Sequence, residues 1–84
     1  MNYAKEIREF MISYFLLGDA SNLRDDQPFL ESGVVDSTGM LEIIMFLESS
    51  YGIKVAPEEM TPENLDSVNR LVEFLGMKRA KAAA

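Results

Sequence analysis

The chain has 84 residues, enough for one small domain whose core is shared among a few elements. It carries 14 acidic against 8 basic residues, a net charge of −6, and contains neither Cys nor His. Those absences exclude disulfides, thiolate nucleophiles, sulfur-built zinc sites and the commonest general base, so catalysis by this chain alone is not expected, and any thiol chemistry must arrive on an attached group.

From Tyr3 to Leu17 the apolar residues Ile7, Phe10, Met11, Tyr14 and Leu17 recur at the three-and-four spacing of a helix with one buried stripe, and Gly18 supplies a C-terminal stop. Asp19 to Asp36 carries turn residues and Pro28 but few periodic hydrophobes. It reads as a loop of about eighteen residues, long for so small a domain. Leu23, Phe29, Leu30, Val34 and Val35 are the residues expected to pin it to the helices. A second main helix is predicted from Ser37 to about Tyr51, ended by Gly52, with Met40, Ile43, Ile44, Leu47 and Tyr51 on its buried face. At about 100° per residue, Ser37, Leu41, Met45 and Glu48 share a neighbouring face. That face is either a docking surface or a second buried side of a hydrophobic helix. Gly39, costing roughly 1 kcal/mol relative to Ala in a helix interior, predicts an irregular start.

Ile53-Lys54-Val55 alternates like a strand but has no visible partner strand, and reads as an extended connector. Ala56-Pro57-Glu58-Glu59-Met60 suggests a short helix, followed by the turn Thr61-Pro62-Glu63-Asn64. The last main helix begins after Asp66 with Val68, Leu71, Val72 and Leu75 as its buried stripe, and Gly76 is expected to end it. The architecture expected is all-α, three main helices plus one short helix, with the long loop between the first two. One domain over residues 1–77 is expected, with a disordered basic, Ala-rich tail over 78–84.

No stretch approaches the roughly 20 apolar residues that span a bilayer, and Met1 to Glu6 lacks the layout of a signal peptide, so a cytoplasmic protein without membrane insertion is expected. Residues 19–66 hold eleven acids against Arg24 and Lys54, a balance of −9, whereas Lys78, Arg79 and Lys81 crowd the end. An acidic middle repels nucleic acid and attracts basic partners; it is equally a solvated surface that serves solubility.

Gly33-Val34-Val35-Asp36-Ser37 places one hydroxyl at the start of the second main helix. Backbone N–H groups of a first turn lack intrahelical partners and the helix dipole favours negative charge there, so a phosphodiester on Ser37 would be electrostatically stabilised. Asp-Ser is also an ordinary helix start, with Asp36 capping the N–H of Thr38 or Gly39.

Taken with Glu42, Leu47 and Tyr51-Gly52-Ile53 at their offsets from Ser37, this run resembles the acyl and peptidyl carrier proteins, over nearly the whole chain. The resemblance implies a small four-helix carrier bundle that bears 4'-phosphopantetheine, taken from coenzyme A, as a phosphodiester on Ser37, with Asp36 helping to present that serine. It implies a non-catalytic, free-standing, monomeric carrier that holds acyl or aminoacyl groups as thioesters. Its partners would be a phosphopantetheinyl transferase and loading and processing enzymes with basic surfaces that read Thr38, Leu41, Glu42, Met45 and Glu48. Thr38-Gly39 departs from the residues common after the serine, and Phe46 stands where fatty-acid carriers tend to have a small residue. Thr61 to Val68 looks more like the corresponding segment of polyketide and nonribosomal carriers. These departures point to a specialised polyketide, nonribosomal or modified-lipid pathway rather than primary fatty acid biosynthesis. The rival reading is an acidic helical docking module in which Ser37 is only a helix cap. A hydrolase with Ser37 as nucleophile is disfavoured because no His exists to activate it.

Overall fold

The computed structural model describes residues 2–16, 18 and 23–83, with side chains as far as Lys81; Leu17 of the first predicted stripe, Asp19 at the predicted start of the loop, and the terminal Ala84 lie outside the described residues. Helices follow in the order α1 Tyr3–Phe15, α2 Phe29–Ser32, α3 Ser37–Tyr51, a 3-10 turn Pro57–Glu59, α4 Pro62–Leu65 and α5 Val68–Ala83. The all-α architecture is the expected one. The three long helices surround one core, with α5 packed on α1 and α4.

α1 starts where the Asn2 side chain accepts the Lys5 N–H at 3.0 Å, and it buries Ile7 and Met11. Phe10 is half-buried, but Tyr14 is 53% exposed, contrary to the predicted stripe. Tyr14 lies at the edge of the stripe, where its ring stacks on the half-buried Phe10 at 5.4 Å, while Phe15 and Leu16 after it pack against the core. The stop is Gly18, with φ +89° and its N–H donated to the Ile12 carbonyl at 2.9 Å.

Leu23, Phe29 and Val35 anchor the long connection as expected, and Val34 is half-buried. Leu30 is exposed, because residues 29–32 are not loop but the helical turn α2, in which neighbouring side chains diverge by about 100° and only Phe29 turns inward. The free N–H groups of α2 are met from a distant part of the chain: Phe29 donates to the Asp66 carbonyl at 2.8 Å and Leu30 to Asp66 Oδ1 at 3.0 Å. The Arg8 guanidinium pairs with Asp25 and donates to the Leu23 carbonyl, while the Asn69 N–H donates to the Asp25 carbonyl at 2.9 Å.

α3 has the predicted bounds. Asp36, in extended backbone, accepts the Gly39 N–H on Oδ1 at 2.7 Å, and at the other end Gly52 takes φ +67° and donates to the Glu48 carbonyl at 3.0 Å. Ile43, Ile44, Leu47 and Tyr51 are buried and Met40 is half-buried. The predicted irregularity at Gly39 is absent, since the helix is continuous from Ser37 and Gly39 is itself buried. The Tyr51 hydroxyl donates to Glu6 on α1 at 2.5 Å; burial, reinforced by that carboxylate, pushes its phenol well above the ordinary tyrosine range.

Beyond α3 the connector is extended as expected, with Ile53 and Val55 buried and Lys54 exposed. Pro57 opens the 3-10 turn, and the Glu59 carboxylate reaches back to the Ala56 N–H at 3.0 Å. The expected turn at Thr61 to Asn64 belongs to α4, where Pro62 takes the first helical position and Leu65 is drawn fully into the core. Ser67 caps α5 by accepting the Arg70 N–H at 3.1 Å; Val68, Leu71 and Leu75 are buried and Val72 half-buried, joined by Phe74, which the predicted stripe omitted.

Gly76 does not end α5, and the expected disordered tail over 78–84 is helical as far as Ala83. Gly76 faces open space, and at roughly 1 kcal/mol it weakens a helix without stopping it. The residues beyond it have partners: Lys78 Nζ pairs with Glu59 Oε1 at 2.8 Å, and Arg79 donates to the Tyr51 carbonyl at the C-terminus of α3, also at 2.8 Å.

The Lys78 hydrogen bond, helped by the Ala56 amide, holds the Glu59 carboxyl below the ordinary glutamate range. A carboxyl lowered on folding contributes stability that is present above its unfolded value and lost as pH falls through the folded one. Thermal unfolding of Glu59→Gln should therefore show a smaller loss of Tm than the parent chain as pH falls through and below the ordinary glutamate range. Removal of the α3 cap in Asp36→Ala should cost about 0.5–2 kcal/mol in urea unfolding, with no change in the denaturant slope.

Candidate functional site

Ser37 is the first helical residue of α3, and it is exposed. The cap is not this serine but its neighbour: Asp36 holds the Gly39 N–H with its carboxylate and the Met40 N–H with its carbonyl. No hydrogen bond of the Ser37 hydroxyl is found among the described residues. The reading in which Ser37 serves only as a helix cap is therefore corrected, because the capping role is filled by Asp36. The first-turn amides of Ser37 and Thr38 stand at the positive end of the α3 dipole, a setting that suits a phosphate ester on the serine oxygen. The donor set and the open approach thus fit a phosphopantetheine arm at Ser37.

Along the same side of α3, Leu41 is 56% and Met45 61% exposed, and Thr38 is exposed beside Ser37. Leu41 and Met45 therefore stand on the surface and not on a second buried side of the helix. Two of the acids expected beside them have other partners. Glu48 is half-buried and accepts the Val55 N–H on Oε2 at 3.0 Å, so it ties the end of α3 to the connector rather than standing free. Glu42 is half-buried and lies beside Tyr14 of α1, whose hydroxyl is raised above the ordinary tyrosine range by its hydrogen bond to Glu42 and by that carboxylate's charge. Tyr14 was legible only as a core residue, since nothing in the local sequence points to Glu42.

Phe46 fills the seam between α1 and α3. Its ring stacks on Phe10 with centroids 4.0 Å apart and planes 9° from parallel, and it meets Tyr51 edge-on at 5.9 Å. An open cleft beside it is lined by Glu6, Glu9, Phe10, Phe46 and Tyr51 with Arg79, and no residue of the Ser37 turn reaches it. Among the described residues no group of acids is arranged to hold a metal ion, and no helix is long and apolar enough to cross a membrane.

The family of the phosphopantetheine attachment site matches residues 16–75. The D-alanyl carrier protein of Streptococcus uberis is 38% identical over 65 residues, which are 77% of this chain and 78% of the relative. That of Streptococcus thermophilus is 33% identical over 73 residues, 87% of this chain and 90% of the relative. A chain of a solved structure described as "Crystal structure of FAD-dependent dehydrogenase" superimposes with a TM-score of 0.73 at 29% identity, covering 82% of this chain and 97% of that one. With a fold, a presented serine and relatives that agree, the chain belongs to the phosphopantetheine-attachment family and is a non-catalytic carrier protein with a covalent 4'-phosphopantetheine.

Proposed function

We propose that Ser37 bears the arm and that the chain is a free-standing aminoacyl carrier, taking a small amino acid from a loading enzyme and presenting it to others. The observation that carries this reading is the exposed Ser37 hydroxyl at the first position of α3, left without a capping task by Asp36. The thiol of the bound arm supplies the thioester chemistry; the chain's own residues position and present. Asp36 holds the first turn of α3, and the amides of Ser37 and Thr38 favour the phosphate charge. Leu41 and Met45 offer an apolar contact, with Thr38 and Glu42 at its margin, to enzymes whose surfaces are basic. Small apolar contacts with charged margins allow steered encounter and quick release, as a shuttle requires.

The aminoacyl cargo is supported by the D-alanyl carrier relatives, and it replaces the polyketide and modified-lipid pathways as the favoured reading. It agrees with Phe46, whose ring takes up space between α1 and α3 that a long acyl chain would use. The description of the solved structure that holds a similar chain supports a flavin-dependent dehydrogenase among the enzymes that receive the carrier.

Incubation of the purified chain with a broad-specificity phosphopantetheinyl transferase and coenzyme A should add one phosphopantetheine by intact-protein mass spectrometry, and Ser37→Ala should gain nothing. No gain in the parent chain under conditions that modify a control carrier would sink the attachment reading. The modified protein should then accept an amino acid from an ATP-dependent D-alanine-activating ligase in preference to a fatty acyl group from an acyl-activating enzyme; the reverse preference would overturn the aminoacyl assignment. Glu42→Lys should slow loading and weaken its salt dependence with helix content unchanged, and a loading rate equal to the parent's would remove the acidic margin from the docking surface.

A further inference from the structure

Gly39 lies two residues after Ser37 and is buried inside the first turn of α3. A β-carbon there would come within 2.8 Å of Phe15 Cε1, 2.9 Å of Val35 Cγ1 and 3.3 Å of Asp36 Oδ1. Each neighbour is restrained. Phe15 is the last residue of α1, and its ring is packed edge-on against Phe10 at 5.9 Å and at a tilt against Tyr14 at 5.0 Å. Val35 is buried and β-branched, and its N–H is bonded to the Phe29 carbonyl at 3.3 Å. Asp36 Oδ1 is the capping atom of α3.

Backbone freedom is not the reason for a glycine here. Gly39 has no positive φ, unlike Gly18, Gly33 and Gly52, and Ala would favour the helix over Gly. What the position needs is the absence of a side chain. That absence lets the end of α1, the last buried residue of the long connection and the helix cap converge on one spot, with Ser37 joined to it through Asp36 on one side and Thr38 on the other.

We propose that Gly39 is a positioning residue for the modification of Ser37: by admitting Phe15 and Val35 against the first turn of α3, it sets the direction in which that turn presents the Ser37 hydroxyl to the transferase. The inference rests on Ser37 as the attachment residue. Gly39 touches no reactant, and it acts through Asp36 and Ser37. A β-carbon would displace Val35, the residue just before the cap, and so turn the serine without disturbing Leu41 and Met45 further along the helix.

The experiment is steady-state kinetics of transferase-catalysed modification, with coenzyme A and the full chain, of Gly39→Ala made in two backgrounds. In the parent chain it should lower kcat about tenfold and leave KM for the carrier within roughly twofold, the split expected when docking is intact and the acceptor is misdirected. In a Phe15→Leu, Val35→Ala background, where room for the β-carbon has been made, the same substitution should leave kcat unchanged. Circular dichroism and thermal unfolding of each variant report whether it folds; if that background fails to fold, Val35→Ala alone supplies the comparison, and there the loss should shrink. Parent-like kcat in Gly39→Ala, with or without a lower Tm, would overturn the proposal and leave Gly39 a packing residue. An equal loss in both backgrounds would also overturn it, by assigning the effect to the helix and not to the contact. Failure of the Ser37 reading looks different: the parent chain itself would take no arm, or Ser37→Ala would take one, and this proposal would fall with it.

Discussion

The N–H of Phe29, held on the Asp66 carbonyl with the phenyl ring wholly buried beside it, is the contact on which the presentation of the serine depends. A connection of this length between α1 and α3 has too few local contacts to order itself. Phe29 brings it to the junction of α4 and α5, and Asp66 meets the first two amides of the short helix α2, which have no partner within the helix. From there the chain has little freedom: the Phe29 carbonyl takes the Val35 N–H, Val35 is buried, and Asp36 follows as the cap of α3. The start of α3 is thus tied, through Phe29 and Val35, to Asp66, nearly thirty positions beyond the serine.

The chain divides tasks that one residue could have combined. Asp36 does the capping, and among the described residues no hydrogen bond holds the Ser37 hydroxyl, which sits one residue past the position that helix capping claims. Likewise the acids of α3 are sorted by partner. Glu48 serves the connector through the Val55 amide and Glu42 lies beside Tyr14, leaving apolar Leu41 and Met45 as the freely exposed part of the face. With no Cys and no His, the protein contributes geometry and charge while the reactive sulfur belongs to the arm.

The bounds of α3 were legible because both signals are local: Asp36 before the first periodic residue and Gly52 after the last. The exposed Leu41 and Met45 were legible too, since helical periodicity alone separates them from the Ile43, Ile44 and Leu47 face. What escaped depends on partners far away in sequence. α2 needs Asp66 to exist, α5 passes Gly76 because Lys78 and Arg79 find Glu59 and the Tyr51 carbonyl, and Glu48 turns inward for Val55. Gly39 was visible as an anomaly, a poor helix former in a first turn, but its cause is a ring at the end of another helix.

The contact of Arg79 with the end of α3 also arranges charge on the scale of the whole molecule. It places the basic end of α5 at the C-terminal end of α3, about 21 Å from Ser37 at about 1.5 Å per residue, while Glu31, Asp36 and Glu42 belong to the segments around the serine. That keeps Lys78 and Arg79 among Glu6, Glu9 and Glu59 and away from the serine, so a basic enzyme approaching the serine meets acids that neither of these cations offsets at close range.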